Sequence, residues 1–223
     1  PAMVAKLTDP RGEGRGTDVE IRLVRSVPAA AVSGIASIQV SWTNAAGNGL
    51  DQKTVAMSAL TKDGDAWTGP LPEAFALGVT GCATANCGAV ASKGGAQRDM
   101  ALLDGVPATL AAAKYRYSLP EVAKDTLVVE LTEDWEGGAL GNPADAFVLV
   151  GKPGDSEPLQ PWITWSLSSD KRHLTMIVDS SWGNKIGSDD STRLVQGSRV
   201  VDASGNIVGA VSRWVRIVLG LRP

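Results

Sequence analysis

Apolar and polar residues alternate with a period of two along most of this chain. Val19-Glu20-Ile21-Arg22-Leu23 and Ile38-Gln39-Val40-Ser41-Trp42 each place apolar side chains on one face and polar ones on the other, as half-buried strands do. Val55-Ala56-Met57-Ser58-Ala59-Leu60 leads to the turn Lys62-Asp63-Gly64-Asp65 and then to Trp67-Thr68. Asp-Gly at such a turn predicts a hairpin. Further on, Leu127, Val129 and Leu131 share a face opposite Thr126, Val128 and Glu130. Strands are also predicted at 146–150, 163–167, 174–179 and 214–219. Helical periodicity is poor throughout. Its best candidate, Ala108 to Tyr115, is bounded by Pro107 and Pro120 and reads as a linker running into a strand.

Short strands divided by Gly, Pro, Asn and Asp clusters predict an all-β sandwich. Residues 1–16 are polar and rich in Gly and Arg and read as a mobile lead-in. Pro1-Ala2-Met3 has the look of a cloning scar on an excised fragment. Leu102-Leu103-Asp104-Gly105-Val106-Pro107 reads as a junction, a Gly turn followed by a stiffening proline. The expected organisation is therefore a lead-in (1–16) and two β domains (17–103 and 104–223). A weak echo supports two modules: 37–44 and 126–133 each put an alternating strand before an acidic or amide-rich turn.

Composition narrows the function classes. The chain has 223 residues, 43% hydrophobic and 20% charged, with a formal net charge of -3, so it can bury a core. It lacks the basic stripe that a nucleic-acid backbone requires. No apolar run approaches the ~20 residues that span a bilayer. The two cysteines, Cys82 and Cys87, sit in a Gly-rich stretch with four residues between them. A small disulfide loop is the leading reading, contributing about 2 kcal/mol on the chain-entropy model. Two free thiols, or half of a metal site, are the alternatives. Structural zinc needs four ligands, and the chain has one histidine, so no metal or cofactor is expected.

Three stretches carry a resemblance. They are Asp125-Thr126-Leu127-Val128-Val129 with Glu130-Leu131-Thr132-Glu133, the run Trp165-Ser166-Leu167-Ser168-Ser169-Asp170-Lys171-Arg172, and Val201-Asp202-Ala203-Ser204-Gly205-Asn206. With Asn142-Pro143-Ala144-Asp145-Ala146-Phe147, this second half resembles the Ig-like repeats of bacterial secreted and cell-surface proteins. Residues 17–103 look like a more diverged unit of the same kind. The resemblance implies two tandem Ig-like β-sandwich domains and an extracellular or cell-surface location. It further implies a non-enzymatic structural or adhesive role, spacing or presenting another domain of a longer protein. Its motifs are strand and turn chemistry, which specify fold better than role.

Candidate chemistry is sparse. His173 follows a turn and reads as a surface residue, with no G-x-S-x-G elbow beside it. The loops 202–206 and 187–191 offer oxygen ligands for calcium but lack the frame of a calcium loop; the first is a good tight turn in its own right. An internal isopeptide bond would call on Lys114 or Lys124, with no acceptor in view. The bias to tryptophan, 7 against 2 Tyr and 2 Phe, is the sharper signal. Alternation assigns Trp42 and Trp165 to the core and Trp67 to its edge. Trp162 and Trp214 fall on faces opposite Ile163 and Val215, while Trp135 and Trp182 sit in turn-rich segments. Trp135, Trp162, Trp182 and Trp214 are thus the candidate ligand-binding residues of a carbohydrate-binding module, the runner-up function. The partners in view are a polysaccharide or another surface protein, with no nucleic acid, no membrane insertion and a monomeric state.

Overall fold

The computed structural model describes residues 3–23, 32–43, 50–75, 88–117, 124–135, 147–150, 156–158, 162–178, 186, 189–194, 200–207 and 212–221. The described elements are strands apart from a helical residue at Val32 and a single helical turn at Met57–Ala59. The chain divides into two compact units. Unit 1 is Pro1–Arg11 with Arg15–Val106, and unit 2 is Gly12–Gly14 with Pro107–Pro223. The division falls after Val106, inside the stretch that reads as a junction.

Unit 1 holds β1 (Met3–Thr8), β2 (Asp18–Leu23), β3 (Ser37–Thr43), β4 (Leu50–Ala56), β5 (Thr61–Asp63), β6 (Ala66–Pro70), β7 (Gly88–Lys93) and β8 (Ala96–Gly105). They form one sheet in the order β4-β3-β7-β8-β1-β2-β6-β5. Its inward residues Leu7, Val19, Ile21, Ile38, Val40, Trp42 and Ala89 join a single buried cluster. Both halves of the sheet therefore close over one core. Unit 2 holds β9 (Leu110–Tyr117), β10 (Thr126–Leu131), β11 (Phe147–Val150), β12 (Ser156–Pro158), β13 (Trp162–Leu167), β14 (His173–Val178), β15 (Ser191–Leu194) and β16 (Val215–Leu221). Their order is β12-β11-β15-β16-β9-β10-β14-β13, the same wiring with every strand advanced by eight.

The match extends to single residues. In unit 1 the first strand pairs in parallel with the last, Lys6 beside Leu103 and Thr8 beside Gly105, and antiparallel with the second, Leu7 opposite Val19. In unit 2 Lys114 lies beside Val218, Arg116 beside Gly220, and Tyr115 opposite Leu127. Ala5-Lys6-Leu7 and Ala113-Lys114-Tyr115 thus occupy the same places. The inner alanines, Ala5 and Ala113, face the larger Ile21 and Val129 across the pair, which lets the layers interdigitate.

Three expectations change. Met3–Thr8 is a central strand rather than part of a lead-in: Ala5 and Leu7 are buried, and that short apolar alternation outweighs its Gly- and Arg-rich neighbours. Residues 110–115 belong to β9, equally central, rather than to a linker. The echo between 37–44 and 126–133 joins β3 with β10, which hold different places in their sheets; the true counterpart of β10 is β2.

Turn chemistry closes the hairpins. Asp63-Gly64-Asp65-Ala66 joins β5 to β6 with Gly64 at φ 55. Lys93-Gly94-Gly95-Ala96 joins β7 to β8 with both glycines at positive φ, as a type I′ turn demands.

Candidate binding surface

The tryptophans separate by burial. Trp42 is core, 6.3 Å from the Phe75 ring, and Trp67 packs at the core edge. Trp135 is only 2% exposed and belongs to the core of unit 2, which overturns its place among the ligand-binding candidates. Its backbone N–H bonds to the Lys171 carbonyl and its backbone bridges to Asp202, so the turn-rich segment folds inward over the core. Its indole Nε1 is buried without a hydrogen-bond partner among the described residues.

Trp165 is the opposite correction. It pairs with the buried Met176, so alternation rightly puts it on the inner face. But β13 ends the sheet, and an inner-face side chain at an edge has no neighbour beyond it; Trp165 is 36% exposed. Trp214 is 40% exposed, in line with its predicted outward face. Trp162 lies in β13, opposite Val178, and its side chain lies outside the described residues. Trp182, and the pair Cys82 and Cys87, also fall outside them. Of the four candidates, then, Trp135 is buried and Trp214 is exposed just before β16.

Ser168, Asp170 and His173, residue types that hydrolases use, meet in the β13–β14 turn. The Ser168 hydroxyl donates to Asp170 Oδ1, and Asp170 Oδ2 lies 2.9 Å from His173 Nδ1. A nucleophilic serine must instead bond to the imidazole, with the carboxylate behind it. Here the carboxylate stands between the two. The group is a turn clasp: Asp170 also accepts from the Arg172 N–H, and Ser168 Oγ from the His173 N–H. The Ser168 hydroxyl, then the Arg172 N–H and His173, hold the Asp170 carboxyl far below the usual carboxylate range. Lys171 takes a left-handed φ of 57 to close the turn.

Asp202 anchors the loop that offered calcium ligands. Its carboxylate accepts from the N–H groups of Ser204 and Asn206, each at 2.9 Å, and from the Asn206 amide at 3.0 Å, with Gly205 at φ 83. These bonds satisfy a carboxylate that is almost fully buried, so the tight-turn reading accounts for its sequence. In unit 1, Lys53 contacts Glu73 at 2.9 Å and Asp51 at 3.4 Å. The Glu73 carboxylate raises the Lys53 pKa despite partial burial, as an ion pair does for an amine. Lys114 lies on an exposed outward face, without the burial an isopeptide bond needs.

The outward row of β16 is the feature sequence reading saw only in part. Arg193 of β15 stacks its guanidinium 4.6 Å from the Trp214 ring centroid. Arg216 follows, 3.0 Å from Asp189, and then Val218, 59% exposed. Lys114 and Arg116 of β9 flank Val218 and Gly220. A pass for alternation shows each of these facing outward, but only the pairing of β15, β16 and β9 places them together.

No family model matches the chain, and no curated protein matches it. Among solved structures, the chain is similar to murine CEACAM1b, with 10% identity over 98% of this chain and 100% of that one, at a TM-score of 0.26. A likeness of that size carries no argument about fold or role. No helix among the described residues is long and apolar enough to cross a membrane.

Proposed function

We propose that the chain is a pair of tandem Ig-like modules, a non-catalytic structural or adhesive segment of a larger bacterial extracellular protein that spaces or presents another domain. The observation that carries this reading is the shared wiring of the two units, whose first strand pairs with both the second and the last strand. That wiring suits a linking role. β1 and β8 run parallel over five residue pairs, as do β9 and β16. Tension applied through a unit's first and last strands pulls them along their length in opposite directions, so all the bonds of the ladder share the load. The converging Ser, Asp and His are spent on a turn, which adds weight to a non-enzymatic role.

Force spectroscopy on the full chain, held at its two ends, tests this. Two unfolding steps are expected, each lengthening the chain by about 350–400 Å, at forces well above those that unzip a hairpin pair by pair. Smooth extension at hairpin-like force in either unit would overturn the load-bearing reading.

The second reading, a carbohydrate-binding module, loses Trp135 but is favoured at one position, where Trp214 stands exposed against Arg193.

A further inference from the structure

Three neighbouring strands of unit 2 carry cations and no acid. The sequences of β9, β15 and β16 are LAAAKYRY, STRL and VRIVLGL. Lys114, Arg116, Arg193 and Arg216 are their charged residues, in a chain whose net charge is -3. All four alternate with buried neighbours and so face outward: Ala113 and Tyr115, Thr192 and Leu194, Val215 and Ile217 are buried. A positive patch on an acidic protein is not a by-product of composition.

The patch is organised. Successive outward residues on a strand stand about 6.7 Å apart, so Trp214, Arg216 and Val218 make a row about 13 Å long. The Arg193 guanidinium carbon lies 4.6 Å from the Trp214 ring centroid, and a guanidinium held over a ring can still offer N–H groups to an anion. The Nε atoms of Arg193 and Arg116 are themselves buried, so they are not the atoms that would meet a ligand. Gly220 keeps the surface low at the far end: a Cβ there would stand 2.9 Å from Lys114 Cε, so the lysine stem lies across the glycine. Arg216 is paired with the highly exposed Asp189, an ion pair that solvent weakens.

We infer that the outward face of β15, β16 and β9 binds an acidic polysaccharide. Its carboxylates would meet Arg193, Arg216 and Lys114, and a sugar ring would lie against the exposed Trp214 and Val218. Charge complementarity selects a polyanion. One exposed ring flanked by Arg193 and Arg216 on a short row selects a sugar chain over a nucleic acid, whose binding draws on more phosphate contacts than this patch can supply. The inference deepens the carbohydrate-binding reading and rests on it, but not on the spacing role.

Affinity electrophoresis of the full chain through gels containing polygalacturonate, neutral dextran or single-stranded DNA provides the test. The chain should be retarded by polygalacturonate alone, less so as salt rises. Arg193→Ala is expected to weaken retardation about tenfold, the scale of one lost charge-assisted hydrogen bond. Val218→Glu, which places an acid at an exposed site and disturbs no buried contact, should abolish it. Melting curves of both variants identify any loss of fold. Equal retardation of wild type and the Val218→Glu variant, no retardation by polygalacturonate, or stronger retardation by DNA would each overturn the inference. Retention in dextran instead would leave sugar binding standing and sink only its acidic specificity. The force steps described above remain whichever way this falls.

Discussion

The two units share a frame and differ on its outer surface. Register places Asp99 of unit 1 where unit 2 has Trp214, Ala101 where it has Arg216, and Thr8 where it has Arg116. Val90 lies opposite Asp99, in the place Arg193 takes beside Trp214. Lys6 and Lys114 coincide, as do the exposed Leu103 and Val218. On the inner side the correspondence is of a different kind: Ala5 matches Ala113, Val19 matches Leu127, and Ile21 matches Val129. Inner positions keep apolar character and volume because a core penalises change at every methylene. Outer positions keep only what the pleat requires. The difference between the units therefore separates residues that hold the frame from residues free to carry a role, and the Arg193–Trp214 face belongs to the second group.

The sharpest way to break the inner correspondence is at Leu7 and Tyr115, which hold the same place. Leu7 rests on bare backbone, since a Cβ on Gly16 would stand 2.4 Å from its Cδ2. Leu7→Ala leaves a hole that little can collapse into, and should cost unit 1 about 4 kcal/mol. Tyr115 adds a hydroxyl that donates to Asp125 at 2.6 Å. Tyr115→Phe keeps the ring and should cost unit 2 about 1 kcal/mol. Urea denaturation of the full chain reads both; a loss of about 1 kcal/mol or less for Leu7→Ala would show that this place does not carry the core.

Gly105 and Gly220 sharpen the comparison at the edge of that layer. A Cβ at Gly105 would meet the Leu7 carbonyl at 2.6 Å as well as Lys6 Cε at 2.2 Å, whereas at Gly220 it would meet only the flexible Lys114 stem. Backbone cannot step aside and a lysine can. Gly105→Ala should therefore cost about 2 kcal/mol, and Gly220→Ala should stay within about 0.5 kcal/mol. Equal midpoints for the two variants in urea would remove the asymmetry.

Strand content was legible wherever one face is buried and the other is wet. Residues 19–23, 38–42 and 127–131 show their alternation openly, and their inner side chains are buried apart from the half-buried Leu23. β1 was hidden because six residues of alternation stand beside a Gly- and Arg-rich stretch, and nothing local announces that a first strand will sit between the second and the last. Burial of single tryptophans was harder still. Alternation fixes the face of Trp165, but whether that face is covered depends on its strand ending the sheet, and sheet order is non-local. Trp135 lies outside any long strand, so no period applied to it, and its burial follows from the turn of residues 168–172 folding against it. The Arg193–Trp214 pair joins residues from strands whose adjacency the sequence does not state.

The smallest effect distinguishes the β13–β14 turn from its counterpart in unit 1. The β5–β6 turn relies on Gly64 at positive φ, a conformation that costs glycine little. The β13–β14 turn instead places Lys171 at φ 57 and clasps itself with the Asp170 carboxylate. Hydrogen bonds from Ser168, Arg172 and His173 favour the charged carboxylate, so its folded pKa lies below its unfolded one. The support it gives is then complete above the ordinary carboxylate range, near pH 4, and fades as pH falls through the depressed folded value. Asp170→Asn should therefore lower the melting temperature slightly at pH 7, and the gap from wild type should narrow only in strong acid. The site is open to solvent, so the shift is expected to be the least of those named. Carboxyl NMR gives the direct reading: Asp170 should titrate below the other exposed aspartates. An ordinary midpoint there would show that the turn is held by its backbone bonds, Ser168 N–H to the His173 carbonyl and Lys171 N–H to the Ser168 carbonyl, with the carboxylate contributing nothing.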